Sequence, residues 1–306
     1  MTIRDFRPAD AVAAAAIHRA GRSHLVLGAE VFTWLAANLP ADQHYRTFVA
    51  ELDGEVVGCI RCGVVTGTTA RGVGFANGSV RPESRRRGVF TALLAAAERH
   101  LTAQGVTELH CWVDEVPDAL AFAANRGFRQ GSLAHFSGRD LTAPLPPVPA
   151  PAPGIELRTA ADYLDDPFPL FVVEADAARD EPGEIAQDAA DYDSWLTEVW
   201  SRPDLDRALT SVVLADGEPV AFSAAQTDGE SRYWSAFTAC RRSHRGQGLS
   251  KLAKTDSLHR ARAAGYTEAF TSNDDTNAPM LAINAWLGYE RCASERKFIK
   301  QLPGAR

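Results

Sequence analysis

The feature of this 306-residue chain that most limits its possible folds is an internal repeat. Both halves carry, in the same order, a strand-like run, an Arg/Gly-rich turn, a helix, a second strand and a short helix that ends in Gly-Phe or Gly-Tyr. Gly127 follows Gly88 by 39 residues, and Gly288 follows Gly248 by 40. Each copy also has an Asp-Gly hairpin signature, at Asp53-Gly54 and Asp216-Gly217. The repeat predicts a mixed α/β unit that is built twice.

The segment between the two copies, residues 141–154, has the sequence LTAPLPPVPAPAPG. Such Pro/Ala sequence favours an extended polyproline conformation over a core helix or a central strand. We therefore predict an N-terminal domain over residues 1–140, a semi-rigid linker over 141–154 and a C-terminal domain over 155–306. The alternative is a single domain in which 141–154 forms one long surface loop.

The composition excludes several classes of function. A net charge of −7 and a pI of about 5.6 differ from the basic footprint of a nucleic-acid binder, and a negative surface favours cationic substrates such as amines. The chain has no apolar run of membrane-spanning length, and the Ala-rich segment 11–17 follows Asp5 and Asp10, unlike a secretory leader. We predict a cytoplasmic monomer or homodimer with neither a membrane nor a nucleic-acid partner.

The cysteines and histidines do not have the spacing of a metal site. There are five cysteines, and an odd count in a cytoplasmic chain argues against a disulfide framework. Cys59 and Cys62 have the spacing of a metal or redox pair, but they lie in a strand-like run without a second ligand pair nearby. We predict that both are ordinary core or surface thiols and that the protein binds no metal.

The turn of the second copy has the residue types of a phosphate-binding site. It follows the strand-like run 233–240, opens a helix, and reads Arg245-Gly246-Gln247-Gly248-Leu249-Ser250. Its two glycines permit left-handed backbone, so several N–H groups can converge on one anion. The helix N-terminus adds unpaired N–H groups and the positive end of its dipole. The alternative is an Arg-rich, solvent-exposed helix start.

The turn matches neither the P-loop, because no Gly-Lys-Ser/Thr follows, nor the three-glycine dinucleotide fingerprint. The order of strand, Arg-x-x-Gly turn, helix, strand and helix instead resembles the GNAT superfamily of N-acetyltransferases. The resemblance rests on Thr238-Ala239-Cys240, on the Arg245–Ser250 turn and on the stretch 273–289. It implies two tandem GNAT folds, each a mixed, mostly antiparallel sheet flanked by helices, with a splayed central strand pair. Tandem copies of this kind resemble mycothiol synthases and actinobacterial small-molecule acetyltransferases.

The resemblance implies roles for residues of the second copy. Backbone amides of the turn would bind the pyrophosphate of acetyl-CoA, the co-substrate, and N–H groups near Ala239 and Cys240 would polarise the thioester carbonyl. Asn277 and Asn284 resemble further CoA contacts, and helix capping is an equal alternative for Asn277. The predicted cofactor-binding residues are Thr238, Ala239, Cys240, Arg245, Gly246, Gln247, Gly248, Leu249, Ser250, Asn277 and Asn284.

The first copy keeps only part of this pattern. Arg85 and Gly88 match the family, and together with Arg87 they form a possible second cofactor site. Phe90 stands where the family has a small residue, so its ring either crowds the phosphates or turns into the core. We therefore expect weak CoA binding or none in a degenerate N-terminal domain.

Amine acylation needs a base for the amine and an acid for the departing thiolate. Many relatives place a Tyr four residues before the Gly that ends the last helix, but here that position is Asn284 in the second copy and Ala123 in the first. The usual acid is therefore missing, although the Asn284 amide retains a hydrogen bond for sulfur. Candidate bases or amine-binding carboxylates, each with a solvated helix charge as its alternative, are Glu174 and Asp176, followed by Asp180, Glu181 and Asp191.

These residues lead to a hypothesis about function. The C-terminal copy is predicted to transfer acetyl from acetyl-CoA to a primary amine of a small molecule by direct attack. One alternative is a pseudoenzyme that binds acyl-CoA without turnover. Another is an acyltransferase that uses a longer or carrier-bound acyl thioester. Turnover with an amine separates these hypotheses.

Overall fold

A computed structural model of the chain describes residues 1–179, 191–274 and 276–303. The described residues form two compact units. Unit 1 comprises residues 1–135 and 293–303, and unit 2 comprises residues 136–179, 191–274 and 276–292. Both units are mixed α/β, as the repeat predicts.

Unit 1 is a mixed sheet with helices packed on it. Its strands are β1 (Thr2–Asp5), β2 (Arg46–Leu52), β3 (Glu55–Val64), β4 (Val73–Val80), β5 (Glu108–Asp114), the first part of β6 (Arg129–Asp140) and the last part of β12 (Glu290–Gln301). Its helices are α1 (Ala11–Gly21), α2 (Ala29–Asn38), α3 (Val89–Ala103) and α4 (Pro117–Ala124). The strand order begins β1-β2-β3-β4-β5-β12, and of these neighbours only β4 and β5 are parallel.

Unit 2 repeats this arrangement. Its strands are β7 (Ile155–Thr159), β8 (Ser211–Ala215), β9 (Glu218–Thr227), β10 (Arg232–Cys240), β11 (Glu268–Asp274) and the last part of β6. Its helices are α5 (Phe168–Ala178), α6 (Tyr192–Trp195), α7 (Leu249–Ala263) and α8 (Ala278–Trp286). The strand order is β7-β8-β9-β10-β11-β6. The pairs β7–β8, β8–β9 and β9–β10 are antiparallel, whereas β10 and β11 are parallel.

Several local predictions are confirmed. Both Asp-Gly pairs have positive φ at both residues, as a two-residue hairpin requires, with φ of 52° and 84° in the first copy and 51° and 86° in the second. Cys59 and Cys62 are buried thiols in β3, and burial raises their pKa to about 11 and about 12. Apart from these predictions, Trp195 and Trp200 stack at 5.7 Å between ring centroids within the core of unit 2.

The Pro/Ala segment 141–154 does more than separate two domains, because it packs along α7 of unit 2. Leu141 is fully buried in a core that contains Leu258 and Ala261 of α7. His259 Nε2 lies 2.8 Å from the carbonyl oxygen of Pro146. Proline has no backbone N–H, so a Pro-rich segment has few backbone donors for its own carbonyl groups. Side chains of α7 lie within hydrogen-bonding distance of these carbonyl groups instead.

In each unit, one strand comes from the half of the chain on the other side of the linker. In unit 1 the strand beside β5 is β12, the last strand of the chain, where Glu295 to Gln301 pair with Asp114 to Glu108. In unit 2 the strand beside β11 is β6, which precedes the linker. The compact units therefore differ from the predicted domains 1–140 and 155–306, because each sheet takes one strand from the other side of the linker.

A buried charged cluster fixes β12 in unit 1. Glu295 is 2% exposed and accepts from Arg22 Nη2 at 2.5 Å, while its other oxygen lies 2.6 Å from His24 Nε2. Asp114 completes the cluster, and burial raises the pKa of its carboxyl group. Arg22 forms an ion pair with each carboxylate, and its Nε lies 3.7 Å from Asp114 Oδ1, so the cluster is an ion-paired part of the core. Removal of one partner from such a pair leaves an uncompensated buried charge.

Phe298→Ala in β12 is expected to lower the free energy of unfolding by about 3–5 kcal/mol, because a cavity would replace a ring that is 0% exposed in the core of unit 1. Although position 298 lies beyond the linker, hydrogen exchange should accelerate first in α3 of unit 1. The matched control is Phe222→Ala in unit 2, whose ring packs in a core with Leu170 and Phe171 of α5, so α5 should lose protection first. Early loss in α7 of the Phe298 variant would contradict the assignment of β12 to unit 1.

Candidate functional site

A gap opens in the sheet of unit 2 between its two parallel strands. β10 and β11 pair only from Arg232–Glu268 to Trp234–Phe270, although both strands continue beyond these residues. A register shift between Ser235 and Phe237 in the ladder of β10 with β9 marks a bulge where the gap begins. The predicted splayed strand pair is therefore present, and the strand edges beyond it are available to a ligand.

The glycine turn continues from the end of β10 into the N-terminus of α7. Gly246 and Gly248 both have φ of 77°, and a Cβ atom at either position would meet no atom within 4 Å. Gly248 is the N-cap of α7, so the unpaired N–H groups of the first helical turn lie directly after it. Arg245 Nε donates to the carbonyl oxygen of Cys240 at 3.4 Å, which keeps this arginine beside the strand end. An open cradle of this kind fits a pyrophosphate group.

The gap and the turn border one cavity of about 830 Å³. The predicted cofactor-binding residues that line it are Thr238, Cys240, Arg245, Gly246, Gly248, Leu249, Ser250 and Asn277. Three others do not line it: Ala239 and Asn284 are buried and Gln247 is exposed. Among the described lining residues, Arg245, Lys251 and Lys254 carry cationic groups and none carries a carboxylate, so the cavity suits an anionic ligand.

The two asparagines near α8 differ in their contacts. The Asn277 side chain caps α8 by accepting from the Met280 N–H at 3.4 Å and also lines the cavity, so capping and ligand contact are compatible. Asn284 is 3% exposed and donates through Nδ2 to Asn273 Oδ1 at 2.6 Å. Within the described chain, the side-chain amide oxygen Oδ1 of Asn284 is buried without a hydrogen-bond partner.

The acidic residues singled out as catalytic candidates lie at several places. Glu174 is half-buried on α5. Asp176, on the same helix, accepts through Oδ2 from the backbone N–H of Arg242 at 2.8 Å and so holds the chain that leads into the glycine turn. Asp191 caps α6 by accepting from the Ser194 N–H at 2.9 Å. Asp180 and Glu181 lie outside the described residues.

The turn of unit 1 has nearly the same backbone. Gly88 has φ of 78° and caps α3, and Arg85 Nε donates to the Val80 carbonyl at 3.4 Å, as Arg245 does in unit 2. Arg86 stands where unit 2 has Gly246, and it adopts a left-handed φ of 63° that a side chain makes unfavourable. Its guanidinium group pairs with Asp118 at 2.7 Å on the surface, and Arg87 is exposed.

The gap that follows this turn is bridged in unit 1. The Asn77 side chain of β4 accepts from the backbone N–H of Trp112 in β5 at 2.8 Å, just beyond the last paired residues. The Phe90 ring turns into the core and meets Phe122 edge-on at 5.4 Å. A side chain thus crosses the space between β4 and β5, whose counterpart in unit 2 is open to a ligand.

Lys254 is one of the cavity-lining residues that the sequence analysis did not single out. Lys254 on α7 is 1% exposed, yet it lines the cavity and donates to Thr271 Oγ1 at 3.3 Å. Its position could have been noticed, because residues 254, 258 and 261 share one helix face, and the latter two are the buried Leu258 and Ala261. A lysine on the apolar face of an amphipathic helix is a pattern that sequence alone can supply.

Among the described residues, no helix combines the length and apolar character that a membrane crossing needs. The cradle, the splayed parallel strands and the cavity form a site that suits an extended anionic ligand. The model of the acetyltransferase (GNAT) family matches residues 17–128 and 163–289, which is most of the chain. The chain therefore belongs to the GNAT family of N-acetyltransferases, and the family implies acetyl-CoA as acyl donor.

Comparisons with individual proteins agree with this family. The chain is 26% identical over 237 residues to a mycothiol acetyltransferase of Acidothermus cellulolyticus, covering 72% of this chain and 69% of that protein. It is 30% identical to a mycothiol acetyltransferase of Salinispora tropica over 161 residues, 52% of this chain and 49% of the relative. A tandem GNAT protein from the clavulanic acid biosynthesis pathway has a similar fold, with a TM-score of 0.76 at 20% identity over 100% of this chain and 99% of that one.

Asp176→Ala is expected to weaken acetyl-CoA binding by roughly fivefold, because the loss of one hydrogen bond of about 1 kcal/mol would loosen the entry to the glycine turn. Asp176→Asn keeps an acceptor oxygen and should bind as the wild type does. Calorimetry gives both affinities. If the Asn variant binds acetyl-CoA normally but loses turnover, the carboxylate of Asp176 acts in catalysis, and its hydrogen bond to the Arg242 N–H does not fully explain its role.

Proposed function

We propose that this chain transfers an acetyl group from acetyl-CoA to a primary amine of a small molecule, and that the transfer takes place in unit 2. The observation that carries the proposal is the cavity of about 830 Å³ that joins an open glycine cradle to the gap between β10 and β11. The mycothiol acetyltransferases among its relatives support an acceptor of small-molecule size.

The residues of unit 2 have distinct parts in this proposal. Backbone N–H groups of the turn and of the α7 N-terminus bind the phosphates, with Arg245 and Lys251 adding positive charge. The strand edge beyond the bulge at Ser235–Phe237 offers backbone N–H groups to the thioester carbonyl. Donors fixed in this way stabilise the negative charge that develops on the carbonyl oxygen as the amine attacks.

Unit 1 is proposed to be catalytically degenerate. Its gap is bridged by the contact between Asn77 and Trp112, and Arg86 and Phe90 replace the small residues of the unit 2 cradle. Gly88 is retained, and a Cβ atom there would meet no atom within 4 Å, so its cradle alone is still open. The proposed loss of catalysis in unit 1 therefore rests on the bridged gap and on the bulk of the side chains beside Gly88.

Titration with acetyl-CoA by calorimetry tests both assignments. Gly248→Glu places a carboxylate in the unit 2 cradle and gives a side chain to a residue with φ of 77°, so it should abolish binding. Gly88→Glu makes the same change in unit 1 and should leave the affinity within about twofold of the wild type. Circular dichroism of both variants controls for folding.

A screen of amino sugars, amino acids and polyamines, with thiol release and product mass as readouts, completes this test. Release of CoA together with an N-acetylated product supports the transferase. Binding that is lost with Gly88→Glu would move the site to unit 1. Binding without turnover on any amine would favour the pseudoenzyme, and turnover only with longer acyl groups would favour the other acyltransferase.

A further inference from the structure

Lys254 is a buried amine that the fold itself does not require. It stands six residues after Gly248, and its counterpart six residues after Gly88 is Leu94, which is 4% exposed in the core of unit 1. The same frame therefore accepts an apolar side chain at this position. Burial of an ammonium group without a counter-charge costs free energy, so a lysine here calls for a functional reason.

The surroundings of Lys254 place its amine at the inner end of the cavity. Nζ donates to Thr271 Oγ1 at 3.3 Å, and that hydroxyl donates to the carbonyl oxygen of Ser235 at 3.2 Å. Ser235 and Thr271 are the residues of β10 and β11 directly after the last paired residues, so the amine lies where the strands diverge. Among the described residues no carboxylate pairs with Lys254, and its remaining hydrogen-bonding positions are available to a ligand in the cavity.

The titratable groups around this amine leave it able to gain or lose a proton near neutral pH. Nζ lies 5.3 Å from the ring centroid of Tyr289, and burial raises the pKa of the phenols of Tyr289 and Tyr233, so both stay neutral. The charged residues on the elements beside Lys254 include Lys251 and Asp256 on α7, Arg232 on β10, Glu268 and Asp274 on β11, and Arg139 on β6. Lys251 lies over the Trp286 ring and Arg232 over the Phe270 ring. Burial lowers the pKa of Lys254 to about 7. Both protonation states are therefore accessible near neutral pH.

We propose that Lys254 is a catalytic residue that gives its proton to the thiolate leaving group during acetyl transfer. This inference rests on the proposed function of unit 2. Asn284 cannot fill that role, because an amide does not release a proton at neutral pH. Lys254 is the cavity-lining group, within the described chain, whose proton is both buried and exchangeable near neutrality.

The step balances in atoms and charge. The amine nitrogen attacks the acyl carbon, and the carbon–sulfur bond breaks with its electron pair remaining on sulfur. The ammonium group of Lys254 donates a proton to that sulfur and becomes a neutral amine. The proton that the acceptor nitrogen loses on forming the amide then returns Lys254 to its ammonium form, so one thiol and one amide result.

Lys254→Leu tests the proposal because unit 1 already carries Leu at this position. The variant should fold, bind acetyl-CoA with an affinity within about threefold of the wild type, and lose kcat by about 10²-fold or more, a typical contribution of a positioned acid. Thr255→Ala is the matched control: it also replaces a buried polar residue of α7, 0% exposed, by the residue of unit 1, Ala95, and it should keep wild-type kcat.

The pH profile of kcat separates proton donation from a merely structural role. The donating form is the ammonium group, so wild-type kcat at saturating amine should fall as pH rises through about 7. Lys254→Leu should lack this limb. Lys254→Arg keeps a positive charge that does not titrate in this range, and it should be as slow as the Leu variant and equally flat with pH.

Each failure points to a different conclusion. If the wild type neither binds acetyl-CoA nor acetylates any amine, the proposed function of unit 2 fails. If the wild type is active but Lys254→Leu has the same kcat and the same pH profile, the proton-donor role fails while the proposed function stands. Much weaker acetyl-CoA binding by a folded Lys254→Leu variant, with kcat retained at saturating acetyl-CoA, would make Lys254 a binding residue and overturn the proposal.

Discussion

The functional architecture of this protein depends on a parallel ladder that stops early. β10 and β11 pair over three residues and then diverge. Because backbone groups at a sheet interior are normally satisfied by the neighbouring strand, divergence leaves a row of donors and acceptors for an extended ligand. The same divergence opens the cavity beside the start of α7, and it brings the glycine turn, the strand edge and the amine of Lys254 to one surface.

The duplication supplies an internal control for this interpretation. Unit 1 keeps the strand order, the helices and the left-handed glycine at the start of α3, so these features belong to the fold. Its gap is bridged by Asn77, and Leu94 and Phe90 occupy the positions of Lys254 and Ser250 with side chains that pack in the core. Polar groups at these positions in unit 2 are therefore not demanded by packing, which favours a role with a ligand.

Sequence reasoning identified the glycine turn because the cradle is built from consecutive residues. The turn from Arg245 to Ser250, its two glycines and the helix that follows are local features, and eight of the eleven predicted cofactor-binding residues line the cavity. The hairpins and the repeated α/β order were likewise readable from spacing. Asp176 was singled out for its carboxylate, but its contact with the Arg242 N–H joins elements far apart in sequence and could not be inferred from spacing.

The sequence by itself determined the secondary structure, the duplication, the family and the glycine turn, because each of these depends on backbone conformation and on side-chain patterns within a short segment. Only the tertiary structure decided which strand completes each sheet, where the Pro/Ala segment packs and what lies at the inner end of the cavity. Those outcomes depend on long-range pairing, as between β12 and β5, and on burial, which turns Lys254 from an ordinary helix residue into an amine that titrates near neutral pH.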